Sequence, residues 1–166
     1  RSVSAFLLNR SSDLTSVLPE QQYRVSFVAP GVRILAVDDN PMNLAVLRGL
    51  LKKTEMRVDL VQSGLEAIAA VQKERYDMIL MDHMMPKMDG IETMKQIRRL
   101  AGNQNPMAPI IVLTANATAG SRKQYIEEGF DDYLAKPVQS EKLEQMIFEY
   151  LPKRMIQKRD MEESKR

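Results

Sequence analysis

From Val32 to Leu151 the chain alternates short apolar runs with longer segments whose apolar residues recur at helical spacing. The runs are Val32–Asp39, Met56–Ser63, Tyr76–Asp82, Ala108–Ala115 and Asp131–Pro137. The segments that follow them are Met42–Thr54, Gly64–Arg75, Ile91–Ala101, Ala119–Gly129 and Ser140–Leu151. Leu44, Leu47, Leu50 and Leu51 give the first segment its apolar side, and Leu65, Ile68, Ala69 and Val71 do so for the second. Strands that alternate with helices predict βαβ units and a parallel sheet. The first, third and fourth runs are apolar enough to be covered on both faces and are expected at the centre. The second alternates more and is expected nearer an edge. Right-handed crossovers then put helices on both faces, which is a doubly wound five-stranded α/β fold.

Local signals agree with this partition. Asn40-Pro41 supplies a cap and a proline for a first helical turn. Gly129 is placed to stop the fourth helix, and Ser140 is expected to cap the fifth. The ends read differently. Residues 1–31 contain a polar, Ser-rich stretch, then an alternating segment, Tyr23–Ala29, broken by Pro30-Gly31. They are expected to be a linker or the tail of a preceding domain, with an added edge strand as the alternative. Residues 32–151 are then the domain. Residues 152–166 are a charged tail, expected to fray or to extend the last helix. The start at Arg1 rather than Met suggests a fragment or a processed product.

Composition removes several chemistries. Without cysteine there is no thiolate nucleophile, disulfide framework or Cys-ligated zinc, and a cytoplasmic setting is expected. One histidine excludes multi-His metal sites. A net charge of +2 gives no strong field for nucleic acid, so no direct nucleic-acid binding is expected. No apolar run approaches the length of a membrane span, so this stretch is expected to make no membrane contact.

In open α/β sheets, ligands bind beyond the carboxyl ends of the strands, where strand order reverses. The polar strand ends are therefore informative. The first run ends in Asp38-Asp39, the third in Asp82, the fourth in Thr114 and the fifth in Lys136. Neighbouring carboxylates repel unless something compensates. Mg²⁺ would do so, because it takes carboxylate oxygens and shares its shell with phosphate. Lys136 suits a phosphoryl oxygen as a point charge, and the Thr114 hydroxyl can donate one hydrogen bond to the same group. Together they make a phosphoryl-transfer constellation in which a carboxylate can itself be the acceptor.

Four motifs carry a resemblance: "VDDN", "LMDHMMPKMDG", "LTANA" and "GFDDYLAKPV", in order, each at a strand end. With them, residues 32–151 resemble the receiver domain of two-component response regulators. The last motif and the upstream "YRVSFVAPGVRIL" look most like receivers at the C-terminus of hybrid sensor histidine kinases, whose parent protein can be membrane-anchored. The resemblance implies a flavodoxin-like fold with strand order 2-1-3-4-5. It implies Asp82 as phosphoacceptor, and Asp38, Asp39, Asp82 and the Met84 backbone carbonyl around Mg²⁺. Thr114 and Lys136 would hold the phosphoryl group. Thr114 and Tyr133 would act as a switch that alters the helix 4–strand 5–helix 5 face, which is also where two copies would pair. The donor would be a histidine kinase or a histidine phosphotransfer domain, and the domain would assist its own phosphorylation and dephosphorylation.

Rival readings weigh less. A receiver used only for docking would not need the full set of acids, Thr and Lys. A flavodoxin-like cofactor binder wants a phosphate-cradling loop after the first strand, where Asn40-Pro41-Met42 stands instead. An aspartyl phosphatase wants its nucleophile on the first strand and an inserted cap. His83 reads as a loop side chain near the site. Met81, Met84, Met85 and Met88 are soft ligands in principle, but the chain has 12 methionines and they read as packing.

Overall fold

The computed structural model describes residues 27–158. Five strands and five helices alternate: β1 (Arg33–Val37), α1 (Pro41–Leu51), β2 (Arg57–Val61), α2 (Gly64–Lys73), β3 (Met78–Asp82), α3 (Gly90–Arg99), β4 (Ile110–Thr114), α4 (Ser121–Glu128), β5 (Asp132–Ala135) and α5 (Ser140–Tyr150). The strands form one parallel sheet in the order β2-β1-β3-β4-β5, the order expected. The central strands β3 and β4 are buried along their whole length, whereas β2, at an edge, is only partly covered.

Side chains alternate across a strand, so each strand feeds two cores. Ile34, Ala36, Met78, Leu80, Ile111 and Leu113 pack on one face, with Leu44, Leu47 and Leu51 of α1 and Leu143 and Ile147 of α5. Leu35, Val37, Ile79, Met81, Ile110 and Val112 pack on the other, with Ala67 and Val71 of α2, Met94 and Ile97 of α3 and Tyr125 of α4. The register Ile34–Met78 and Ile79–Ile110 keeps like faces aligned from strand to strand.

The caps are mostly side-chain caps. Asn40 accepts from the Met42 amide, Ser63 from the Glu66 amide and Asp89 from the Glu92 amide. Gly129, at φ 125°, ends α4, and its amide donates to the carbonyls of Tyr125 and Ile126. Ser140 departs from expectation. It is the first residue of α5, Gln139 takes the cap position, and no side chain caps that end. The extended backbone ends at Gln139, so the helix begins one residue earlier than a Ser140 cap requires.

At the ends, Phe27–Val28 pairs antiparallel with Gln157–Lys158 in a separate two-residue ladder. The described part of the Tyr23–Ala29 stretch is thus not an added edge strand of the main sheet; residues 23–26 lie outside the described residues. The final helix is not extended either. It stops at Tyr150, and a 3₁₀ turn, Lys153–Met155, leads into the ladder. Phe27 and Ala29 are buried in the first core, and the Phe27 ring meets Phe148 of α5 at 5.7 Å.

Candidate functional site

Strand order reverses between β1 and β3, so the loops after them part and leave a crevice at their carboxyl ends. Asp38 follows β1 directly. Its amide donates to the Val61 carbonyl at 3.2 Å, which continues the β1–β2 ladder by one residue. The Asp38 side chain is fully buried. Its Oδ1 accepts from the Asn40 amide at 2.8 Å, and its Oδ2 from Asn43 Nδ2 at 3.1 Å. Asp39 is exposed. Asp82, the last residue of β3, is 5% exposed. Oxygens of these three acids lie within 4.8 Å of one another.

Lys136 follows β5 and reaches across to them. Its Nζ donates to Asp82 Oδ1 at 2.7 Å and to Asp38 Oδ2 at 3.0 Å. Burial pushes the Asp82 carboxyl above its ordinary range. The hydrogen bond from Lys136 opposes this, and repulsion from Asp38 and then Asp39 adds to it. Burial alone would lower the Lys136 ammonium, but hydrogen bonds to Asp82 and Asp38 outweigh it and raise the net value. The two directions are compatible: one ammonium serves two carboxylates and cannot fully compensate three. A hard divalent cation fits this donor set, since the ligands on offer are carboxylate oxygens and one acid faces solvent.

The loop after β3 holds Asp82 in place through Gly90. The Gly90 amide donates to the His83 carbonyl at 2.8 Å. A Cβ at Gly90 would lie 2.2 Å from the Asp82 carbonyl oxygen, so only glycine allows this approach. Lys87 takes a left-handed φ of 68° in the same loop. Met81 and Met85 are buried in the second core, whereas the Met84 side chain is 74% exposed. These three methionines therefore divide between packing and surface.

Thr114 ends β4 and is buried. Its Oγ1 accepts from the Asn116 amide at 3.0 Å and from the Tyr125 hydroxyl at 2.9 Å. Tyr125 Oη also lies 2.8 Å from His83 Nδ1. The Tyr125 ring meets His83 edge-on at 5.4 Å and stacks with Tyr133 at 6.4 Å. Tyr133 is half-buried on the edge strand. Sequence reasoning singled out Asp38, Asp39, Asp82, Met84, Thr114, Lys136 and Tyr133 but passed over Tyr125. The one available signal was an aromatic residue beside Ile126 in a largely polar helix, which reads equally well as ordinary packing.

An apolar cleft of about 410 Å³ opens beside Asp38 and Lys136, lined by Val46, Leu47, Leu113, Pro137 and Val138. Val46 of α1, which lines it, stays exposed, as does Met42 one turn earlier in the same helix. Among the described residues, no helix is long and apolar enough to cross a membrane.

Residues 34–148 match the response regulator receiver domain. The chain is 40% identical over 119 residues to the sensor protein GacS of Pseudomonas syringae pv. syringae, across 71% of this chain and 13% of that protein. It is also 40% identical over 119 residues to the signal transduction histidine-protein kinase BarA of Escherichia coli K12, again across 13% of the relative. The chain therefore spans about an eighth of the length of these relatives. Among solved structures, the receiver domain of the sensor histidine kinase PA1611 of Pseudomonas aeruginosa PAO1, with magnesium coordinated in its active site cleft, superposes with a TM-score of 0.63 at 38% identity, over 72% of this chain and 96% of that one. The receiver domain of Saccharomyces cerevisiae Ssk1, crystallised with the histidine phosphotransfer protein Ypd1, superposes with a TM-score of 0.66 at 30% identity, over 76% of this chain and 91% of that one. A five-stranded parallel sheet in this order, acids and a lysine joined at its carboxyl edge, and these matches have one common explanation: the chain belongs to the response regulator receiver domain family.

Proposed function

We propose that this domain accepts a phosphoryl group from a phosphohistidine onto Asp82. The observation that supports this most is Lys136 Nζ bridging Asp82 and Asp38 at 2.7 and 3.0 Å beside a third carboxylate. In the reaction an Asp82 oxygen attacks phosphorus, the P–N bond breaks, and the imidazole leaves with the electron pair. In this reading Lys136 pairs with a phosphoryl oxygen, and Thr114 donates a hydrogen bond to another. Asp38, Asp39, Asp82 and the Met84 carbonyl would hold Mg²⁺, which when bound offsets charge on the transferred group. The residues that hold the acids, Asn40, Asn43 and Gly90, orient them before any donor arrives.

The donor is a histidine kinase or a histidine phosphotransfer domain. The exposed apolar side chain of Val46, in the cleft beside Asp38, suits such a protein surface. The switch is Thr114 with Tyr133, read out on the α4–β5–α5 face, where a second copy would also dock. We place the domain in the cytoplasm as part of a hybrid sensor kinase, with residues 1–31 as the lead-in, 32–151 as the receiver and 152–166 as the tail.

Incubation with acetyl phosphate and Mg²⁺, followed by intact-mass measurement, tests the reading. The parent should gain one phosphoryl group, and Asp82→Asn should gain none. A parent that stays unmodified with acetyl phosphate and with a phosphohistidine donor would leave only a docking role.

A further inference from the structure

Thr114 Oγ1 has both of its acceptor positions filled. The Asn116 amide donates to it at 3.0 Å and the Tyr125 hydroxyl at 2.9 Å. A hydroxyl carries one proton and two lone pairs. With both lone pairs engaged, Thr114 can only donate. Tyr125 has given its own proton to Thr114, so its oxygen must accept from His83 Nδ1 at 2.8 Å. The chain of bonds thus has one direction: His83 Nδ1–H to Tyr125, Tyr125 O–H to Thr114, and the Thr114 proton left for an acceptor. A phosphoryl oxygen is such an acceptor.

The ring of Tyr125 packs among His83, Phe130 and Tyr133. Phenylalanine would fill that space equally well. The buried hydroxyl needs a separate reason, and both its partners belong to the site: one is the residue after Asp82, the other is Thr114. We propose that Tyr125 is a positioning residue for phosphoryl acceptance, which holds Thr114 Oγ1 as a hydrogen-bond donor and is itself held by His83. The proposal rests on Asp82 being the phosphoacceptor, but the hydrogen-bond direction is a property of the unmodified protein.

His83 is the only histidine, so ¹⁵N-histidine labelling reports one imidazole. In the full chain at pH 8, the neutral ring should carry its proton on Nδ1, because the partner of one ring nitrogen selects the tautomer. Tyr125→Phe should move the proton to Nε2. A parent ring with Nδ1 unprotonated would mean that Tyr125 donates to His83, and would overturn the proposal. The second arm is the rate of phosphorylation by acetyl phosphate. Tyr125→Phe should slow it about two- to tenfold, the range for one lost hydrogen bond. In a Thr114→Ala background the same change should do nothing further. Equal slowing in both backgrounds would reduce Tyr125 to a packing role and overturn the proposal. A parent that takes up no phosphoryl group overturns this inference and the function together. A parent that does, beside an equally fast Tyr125→Phe chain, overturns this inference alone.

Discussion

Asp82 is buried beside two other acids and served by a lysine it shares with Asp38. Its ionised form is therefore disfavoured, and its carboxyl titrates above the ordinary 3.8. A group raised in the folded state supports folding fully below its unfolded value, and loses that support as pH rises through the folded value. At neutral pH the charge on Asp82 thus works against the fold. We expect Asp82→Asn to unfold at a higher urea concentration than the parent at pH 7 in metal-free buffer. The gap should close as pH falls below about 3.8, where the parent's Asp82 is neutral whether folded or not. Equal midpoints at pH 7 would mean that Lys136 compensates the acid completely. The residue types at this site were legible in the sequence, because strand-end acids, a hydroxyl and a lysine stand out against apolar runs. Tyr125 was not, because a tyrosine on a helix does not disclose what its hydroxyl meets.

At the scale of elements, the loop between β3 and α3 joins stability to function. Asp89 caps α3 through the Glu92 amide at 2.8 Å, while Gly90 lets the backbone touch the carbonyl of Asp82. These neighbours should respond differently. Asp89→Ala should cost about 1 kcal/mol in urea unfolding, the usual loss of an N-cap, with little change in the rate at which Asp82 is modified. Gly90→Ala brings a Cβ against backbone that cannot swing aside. It should cost about 1–3 kcal/mol, the range for overpacking, and should also slow phosphorylation by displacing the end of β3. A Gly90→Ala chain as stable and as fast as the parent would show that the loop can shift without moving Asp82. The sequence marked Asp89-Gly90 as a turn. It did not separate a cap from a close approach, since that distinction depends on which atoms the folded loop brings near.

At the scale of the whole molecule, two cores flank one sheet, and the two ends of the described segment close the first of them. Phe27 is 2% exposed and lies against Phe148 of α5. Phe27→Ala should lower the stability of the full chain by about 3–5 kcal/mol, as for other buried phenylalanines, measured by urea unfolding. A loss of under about 1 kcal/mol would mean that the segment before Val32 only rests on the domain. Period-two and helical patterning made the β1-to-α5 alternation legible, because burial on a sheet face imposes those periods. The pairing of Phe27–Val28 with Gln157–Lys158 was not legible. Two-residue strands carry no period, and their paired residues, Phe27 with Lys158 and Val28 with Gln157, lie about 130 positions apart.

By itself, the sequence determined the fold class and the strand ends that bear charge, which follow from local periodicity and from the handedness of crossovers, acting within a few tens of residues. The strand order followed only from the family resemblance that the four strand-end motifs carry. Only the tertiary structure decided how the charged groups are shared and which way the Thr114 hydroxyl faces its partners. Lys136 bridges two acids at the ends of different strands, and Tyr125 links the residue after β3 to the last residue of β4, at distances that exist only once the sheet has formed. Hydrogen bonds depend on tenths of an ångström, and no residue pattern encodes that before packing fixes it.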